Sequence, residues 1–314
     1  MRPDILSLGE EMVEFGTAGP SGPGATFVQG YGGDTSNVAV AAARQGARVG
    51  YLSAVGTDIF GDALMSLWQR EGVDTTHVKR RPDAPTGVYF VTQGSEGHSF
   101  TYYRAGSAAS RMTPADLPGA AIAGARILHV SGISQAISGT AEATVAHALA
   151  LARRHGVKIS YDPNLRLKLW PPERARAVIG DTLARADILL PSLEDARFLT
   201  GRREPEAIID FCLGLGVSLV ALKLGAEGCL LATAAERRRL PGYRVSALDA
   251  TGAGDVFDGA FLARLVAGDS PLGAAAYANA AAALSTTGYG AVAPIPARAA
   301  VERFLAATGT AAAS

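Results

Sequence analysis

Short apolar runs rich in β-branched residues alternate with longer segments rich in Ala and Leu along most of the chain. The short runs are bounded by Gly, Pro or Asp and have the length of buried strands, whereas the longer segments have the length of helices. The predicted strands cover residues 4–9, 48–56, 126–132, 157–162, 187–192 and 217–225. The predicted helices cover residues 35–46, 59–71, 139–155, 172–185 and 204–214.

Alternation of strands and helices at this spacing is typical of parallel strands that are joined by crossover helices. The predicted fold class is therefore α/β, with a doubly wound, mainly parallel sheet flanked by helices. In such a sheet the ligand site lies beyond the carboxyl ends of the strands. Side chains that carry chemistry should accordingly follow the strands.

Two hydrophobic segments depart from this alternation and flank the turn-like spacer SEGH, which predicts an antiparallel hairpin. Together with two earlier segments they would form a small antiparallel β lid over the site, although a solvated edge hairpin is the alternative. Strand periodicity places Phe100, Tyr102 and Arg104 on one face, and an Arg beside a Tyr suits an anionic, hydroxylated ligand. The lid strands are expected at 12–16, 26–30, 87–93 and 99–104, within insertions at about 12–30 and 87–105.

Composition narrows the class of protein. The 314 residues are 48% hydrophobic and 18% charged, which suits one large domain over 1–314 with a frayed tail at 307–314. Lys plus Arg and Asp plus Glu both number 29, so nothing favours nucleic acid or an anionic membrane as a partner. The N-terminal residues lack both the basic region and the long apolar region that are typical of a signal peptide, so we expect a cytoplasmic protein. The balanced charge favours small molecules as its ligands.

The stretch DATGAGDVFDGAF, residues 249–261, combines small residues with acids at the start of a predicted helix. Free N–H groups and the positive end of the helix dipole would make Gly252, Ala253 and Gly254 an anion site. Asp255 would lie beside the bound anion and could accept a proton from an attacking hydroxyl. The alternative is that Asp255 only favours a helix N-terminus. Phe257 replaces the third glycine of G-x-G-x-x-G and no P-loop occurs, which disfavours an NAD-dependent oxidoreductase.

This stretch and GYGGDTSNVAVAAARQGARVGYLSAVGTDIFGD, residues 30–62, resemble the two signatures of the ribokinase-like (PfkB) carbohydrate kinases. The resemblance covers nearly the whole chain and implies a ribokinase-like fold, ATP and Mg²⁺ as cofactors, and Asp255 as catalytic base. Two departures stand out: Ala250 replaces a hydroxyl residue or Pro, and Ser192 to Asp195 replace the family's Asn-x-x-Glu motif. The resemblance implies that Asp195 acts on Mg²⁺ through water.

The segment YDPNLRLKLW, residues 161–170, follows a predicted strand and places Asn164 and Arg166 at its carboxyl end. Arg166 and the lid residue Arg104 would supply two cations. A neutral sugar does not need both, whereas a sugar-acid carboxylate would accept bidentate hydrogen bonds from either. The chain most resembles the 2-keto-3-deoxygluconate kinase branch, with fructokinase as the alternative because it shares an Asp-Pro-Asn-x-Arg segment. The substrate-binding residues implied are Gly33, Asp34, Asn37, Tyr89, Tyr102, Arg104, Asn164 and Arg166.

For the nucleotide, KLGAEGCLL, residues 223–231, predicts a strand, a Gly-rich turn and a second strand, with a plain hairpin as the alternative. Asn279, the lone amide of a small-residue helix, would face adenine or fill a packing defect. Some relatives hold K⁺ near the anion hole, which would place Asp249 and the loop near Gly288 around it. The implied nucleotide-binding residues are Ser192, Lys223, Gly225, Gly228 and Asn279.

Three further expectations concern partners and rivals. Exposed lid strands often pair between subunits, so a homo-oligomer that forms through the lid strands is one expected partner arrangement. A noncatalytic sugar or nucleotide sensor on the same fold is disfavoured, because a sensor needs no base. The scattered histidines predict no transition-metal site, and Cys212 and Cys229 fit small core residues.

Overall fold

The architecture is taken from a computed structural model of the chain, which describes residues 2–18, 22, 24–94 and 97–311. A nine-stranded sheet has the order β13-β12-β11-β10-β9-β8-β1-β4-β5. All neighbours from β5 to β11 pair in parallel, whereas β12 and β13 are antiparallel. The strands are β1 Ile5–Leu8, β4 Val49–Gly56, β5 Val78–Arg81, β8 Ile127–Ser131, β9 Lys158–Asp162, β10 Ile188–Leu189, β11 Leu219–Lys223, β12 Cys229–Thr233 and β13 Arg237–Leu240.

Helices cover both faces of this sheet. One core packs α1, α2, α9 and α10 against one face, and a second core packs α5, α6 and α8 against the other. The helices are α1 Asp34–Arg44, α2 Ile59–Arg70, α3 Gly119–Gly124, α4 Gly132–Ala136, α5 Gly139–Arg154, α6 Pro172–Leu183, α7 Leu193–Thr200, α8 Pro205–Gly214, α9 Ala253–Ala267, α10 Pro271–Ser285 and α11 Arg298–Ala311.

The predicted fold class is confirmed. Each of the six predicted strands and five predicted helices overlaps an observed element of the same kind, because their apolar runs carry the correct period for a buried strand or helix. At the C-terminus, α11 continues through residue 311, into the segment 307–314 where a frayed tail is expected. Residues 312–314 lie outside the described residues.

The lid is a second sheet of four strands in the order β3-β2-β6-β7. The pairs β2·β3 and β6·β7 are antiparallel as predicted, and the central pair β2·β6 is parallel. Part of the SEGH turn, residues 95–96, lies outside the described residues. The strands are β2 Met12–Thr17, β3 Phe27–Gly32, β6 Val88–Gly94 and β7 Gly97–Tyr103.

Close packing of α1 against α9 brings the two signatures together. A Cβ atom on Gly259 of α9 would lie 2.5 Å from the carbonyl oxygen of Val38 and 2.6 Å from Cβ of Ala41. Only a glycine therefore lets the two backbones approach this closely. Because α1 begins at Asp34 and α9 at Ala253, this contact sets the distance between the two candidate site segments.

We expect Gly259→Ala to lower the free energy of unfolding. Ala favours a helix interior by about 1 kcal/mol, but overpacking against backbone costs about 1–3 kcal/mol, so the net loss should be up to about 2 kcal/mol. Urea denaturation measures this. Gly180→Ala in α6 is the matched control, since its Cβ would meet no atom within 4 Å, and it should be neutral or stabilising. Equal stabilisation by both substitutions would contradict the proposed constraint.

Candidate active site

The helix α9 begins at the position that the glycine-rich stretch predicts. Gly252 precedes it in the left-handed region with φ 74°, and the carbonyl of Gly252 accepts the first helical bond from Val256 N at 2.9 Å. Ala253 N donates to Ala250 O at 3.1 Å, which differs from the expectation that its amide is open. The orphan donors of the first turn are then those of the residues that follow, Gly254 and Asp255.

Asp255 is held by a residue from the other signature. Asn37 Nδ2 in α1 donates to Asp255 Oδ2 at 2.8 Å, so one carboxylate oxygen is fixed and the other remains for a substrate. Burial and the nearby Asp34 carboxylate together raise the pKa of Asp255 to about 7, although Asn37 and Lys223 act in the opposite direction. A carboxylate with a pKa near neutrality is suited to general-base catalysis.

The residues predicted at the sugar site converge beside Asp255. Asn164 Nδ2 donates to Asp34 Oδ2 at 3.0 Å, and Asp34 Oδ1 accepts from Thr35 N at 2.8 Å. Asn164 has φ 32°, the one positive value among the described residues other than glycine, which an Asn tolerates better than most residues. The strained turn exposes Arg166, whose Nη1 atom donates to the carbonyl of the adjacent Leu165 at 2.8 Å.

The lid contributes an aromatic wall. The rings of Tyr89 and Tyr102 stack with centroids 5.5 Å apart, and the Tyr89 hydroxyl donates to Glu14. Phe100 and Tyr102 stack in turn, which confirms that they share a face as strand periodicity predicts. Gly33 joins the lid to α1, and a Cβ atom there would lie 2.5 Å from the carbonyl oxygen of Glu10.

Arg104 has a carboxylate partner within the chain. Its Nε atom donates to Glu10 Oε2 at 2.8 Å, and the other carboxylate oxygen accepts from Ser107 Oγ at 2.6 Å. Glu10 is fully buried and Arg104 nearly so, with side-chain exposures of 0% and 11%. The charge of Arg104 is therefore largely compensated, whereas that of Arg166 faces solvent.

Four of the five predicted nucleotide residues, all except Ser192, line a cavity of 580 Å³, a size typical of ligand sites. It lies between the β11–β12 turn, the start of α9 and α10, and its walls include Lys223, Gly225, Gly228, Gly254 and Asn279. The amide of Asn279 donates weakly to Leu240 O at 3.4 Å and to Pro241 O at 3.3 Å, so it is tied to the strand that borders the cavity.

Three residues predicted to contact metal or phosphate make hydrogen bonds within the chain. Asp195 Oδ2 accepts from Leu165 N at 3.2 Å, and Ser192 Oγ accepts from Asp195 N at 3.1 Å, so both brace the sugar-site loop. Asp249 accepts from Thr251 N and from Gly290 N, both at 2.9 Å, which joins the anion-hole segment to the loop near Gly288. Over the described parts of the chain, no group of three or more His, Cys, Asp or Glu residues is placed to hold a metal ion.

Sequence reasoning did not single out several acids near the site. Glu10 and Glu11 follow β1 after Gly9, Asp162 ends β9, and Asp258 lies three residues after Asp255. Their positions at strand ends, or one helical turn from the candidate base, were signals that could have identified them. Burial raises the pKa of Glu11 well above its ordinary value, and neither carboxyl oxygen has a hydrogen-bond partner among the described residues.

This geometry agrees with comparisons against known proteins. Residues 4–298 match the family described as pfkB family carbohydrate kinase. The chain belongs to the pfkB family of carbohydrate kinases. Within the described ranges, none of its helices is both long enough and apolar enough to cross a membrane.

Two curated pfkB relatives differ in substrate. The chain is 36% identical to the 2-dehydro-3-deoxygluconokinase of Bacillus subtilis (strain 168), over 99% of this chain and 98% of the relative. It is 35% identical to fructokinase-1 of Oryza sativa subsp. japonica, over 93% of this chain and 94% of the relative. Both alignments support sugar phosphorylation and leave the sugar to be decided.

Solved structures of this fold contain nucleotide and metal. A protein designated ribokinase II from Escherichia coli, in complex with ATP and Mg²⁺, has a TM-score of 0.90 and 27% identity, covering 97% of this chain and 99% of its own. A fructokinase double mutant from Vibrio cholerae O395 with fructose, ADP and potassium has a TM-score of 0.85 and 30% identity, covering 97% and 99%.

If Asp255 is the general base, activity should depend on pH near neutrality. Because its pKa is raised to about 7, the ionised base is lost as the pH falls below that value. We expect kcat/KM to fall about tenfold per pH unit on the acid side and to level off above the pKa. A pH series at constant ionic strength checks this, and a rate that stays constant down to about pH 5 would contradict it.

Asp255→Asn is the control variant for this titration. It should lower kcat by roughly 10²-fold or more and remove the acid limb. A raised carboxyl pKa means that the folded state loses stability as the pH rises from the unfolded value toward the folded one. The melting temperature of Asp255→Asn at about pH 8 should therefore equal or exceed that of the wild type, which distinguishes loss of the base from misfolding.

Proposed function

We propose that this protein transfers the γ-phosphoryl group of ATP to the terminal hydroxyl of 2-keto-3-deoxygluconate, also called 2-dehydro-3-deoxygluconate, to form the 6-phosphate. The supporting observation is that the buried Asp255 directly follows Gly254 at the start of α9 and lies close enough to Asp34, the hydrogen-bond partner of Asn164, for the Asp34 carboxylate to raise its pKa. The Asp255 oxygen not held by Asn37 would accept the hydroxyl proton while the hydroxyl oxygen attacks phosphorus.

The anion hole would stabilise the charge that develops on the transferred group. Amides at the start of α9 need no reorganisation, because the helix holds them in place before ATP binds. Asn37 Oδ1 is buried without a partner in the described chain, and we propose that it accepts a hydrogen bond from the sugar. The stacked Tyr89 and Tyr102 of the lid would cover the sugar and exclude water.

A sugar acid is favoured by the unequal environments of the two arginines. Arg104 is neutralised by Glu10, whereas Arg166 is exposed and hydrogen-bonded to an adjacent carbonyl. We therefore assign the substrate carboxylate mainly to Arg166, with Arg104 orienting the lid wall through its position 5.8 Å from the Tyr102 ring. This differs from the sequence-based expectation that Arg104 also contacts the substrate carboxylate.

Fructose phosphorylation is the second candidate. Two observations support it. Fructokinases are among the relatives, and the charge of Arg104 is compensated by Glu10. A site with one uncompensated arginine favours an acidic substrate less strongly than a site with two. In that case Arg166 would contact hydroxyl groups, and its loss would impair a neutral sugar.

We propose ATP as the nucleotide in the 580 Å³ cavity and Mg²⁺ as its metal. Because the described acids form no metal cluster, phosphate oxygens and water would hold most of the Mg²⁺ shell, with Asp195 acting through water. The metal would neutralise phosphate charge when bound. A K⁺ ion beside Asp249 remains part of the proposal and is tested by omitting K⁺ from the assay.

Arg166→Ala should selectively impair the acid. A charge-assisted contact is worth about 1.5–3 kcal/mol, so kcat/KM for 2-keto-3-deoxygluconate should fall roughly 10- to 150-fold, while that for fructose changes little. Lys168→Ala, an exposed cation two residues along the same segment, is the matched control and should affect neither substrate. Steady-state rates with both sugars and the three proteins provide the measurement.

Three results would decide against parts of this proposal. A wild type that prefers fructose supports the fructokinase alternative. Equal losses of both substrates in Arg166→Ala would remove its role in reading the carboxylate. Absence of ATP-dependent product with a panel of sugars and sugar acids would leave only the sensor hypothesis.

A second copy of the chain is the proposed protein partner. The lid edge strands β3 and β7 carry exposed apolar residues, including Val28 at 61% and Tyr103 at 64%, a feature typical of association surfaces. We expect light scattering to give the mass of a dimer, and Val28→Lys with Tyr103→Lys to reduce it to a monomer. A monomeric wild type at micromolar concentration would refute this assembly.

A further inference from the structure

A buried ammonium lies between two carboxyl groups beside the anion hole. Lys223 Nζ donates to Asp162 Oδ2 at 3.0 Å and to both oxygens of Asp258 at 2.9 and 3.0 Å. The three side chains come from β11, β9 and α9 and are 12%, 8% and 0% exposed. Burial raises the pKa of Asp258 well above its ordinary value, whereas the Lys223 charge outweighs the effect of burial on Asp162 and lowers its pKa.

The ammonium also faces the nucleotide cavity. Lys223 lines the same wall as Ala253 and Gly254, and its Nζ atom lies 3.5 Å from the position a Cβ would take on Gly254. A cluster that only stabilised the core could be placed anywhere along β11. This cluster instead lies at the carboxyl end of β11, where the phosphates of a bound nucleotide would meet the start of α9.

We propose that Lys223 contacts the phosphoryl group during its transfer, with Asp162 and Asp258 as positioning residues. This inference rests on the proposed kinase function. The hydroxyl oxygen of the sugar forms the new bond to phosphorus, and the bond from phosphorus to the leaving oxygen of ADP breaks. The hydroxyl proton goes to Asp255, while Lys223 keeps its protons and compensates the negative charge of the phosphoryl oxygens.

The same contacts connect the two substrates. Asp162 Oδ1 accepts from Asn164 N at 3.1 Å, so the carboxylate that holds Lys223 also shapes the sugar-site turn. The charged groups that face Asp255 are Asp34 from α1, Asp162 from β9, Lys223 from β11 and Glu11 from the segment after β1. Lys223 is the cation in this set, and removing it should make Asp255 harder to ionise.

The test is Lys223→Met, assayed with ATP, Mg²⁺ and the sugar that the wild type uses best. We expect kcat to fall roughly 10²-fold, as for loss of one donor to a developing charge, while KM for ATP changes less than about threefold. The acid limb of kcat/KM should move to higher pH. Lys158→Met is the matched control. Lys158 begins β9, at the opposite end of that strand from Asp162, and its ammonium pairs with Asp187 at 2.8 Å.

A second variant distinguishes loss of the Lys223 contact from unfolding of the protein. Lys223→Met leaves Asp162 without its cation, so the double variant Lys223→Met with Asp162→Asn removes both charges and should show the same loss of kcat in a folded protein. Circular dichroism and the melting temperature establish folding for each variant. A folded single or double variant with kcat within threefold of wild type overturns the role of Lys223, and so does an unmoved acid limb in the folded single variant. The acid limb of the double variant decides nothing, because removing Asp162 and removing Lys223 shift the pKa of Asp255 in opposite directions. Failure of the wild type to phosphorylate any sugar would instead overturn the proposed function itself.

Discussion

The close contact between α1 and α9 is the constraint on which the site depends. Gly259 lets the two helix backbones approach to a distance that any Cβ atom would prevent. At that distance Asn37, one turn into α1, reaches Asp255, one turn into α9. A slightly wider spacing would leave the carboxylate without its partner and move it relative to the sugar-site turn. The packing of α1 against α9 in the core thus sets the distance between Asn37 and Asp255 in the candidate site.

Charge balance is the second physical feature of the site. Asp34, Asp162, Asp255 and Asp258 converge where the parallel strands end, with Lys223 among them. So many carboxylates cannot all be ionised in a buried region, and the outcome differs with their contacts. The ammonium lowers the pKa of Asp162, while burial and neighbouring acids raise the pKa of Asp255 and Asp258. Acid residues of one type therefore take different roles.

The lid and the main sheet are joined through the segment that follows β1. Glu10 pairs with Arg104 at the end of β7, and Glu14 accepts a hydrogen bond from Tyr89 in β6. These acids hold the aromatic wall in place before a substrate arrives, which reduces the entropy lost on binding. The cost is that one arginine expected to read the substrate is already occupied, and Arg166 remains as the exposed cation.

The sequence by itself determined the fold class, the lid hairpin and the helix start at Gly252, because hydrophobic period and glycine conformation are local properties. It also determined the family, through two signatures far apart in the chain. Only the tertiary structure decided which charges meet. The Arg104–Glu10 pair joins residues 94 positions apart, and Lys223 meets Asp258 across 35. Such pairings, and the pKa shifts they produce, depend on burial and on distances of a few ångströms, which residue type and spacing along the chain do not encode.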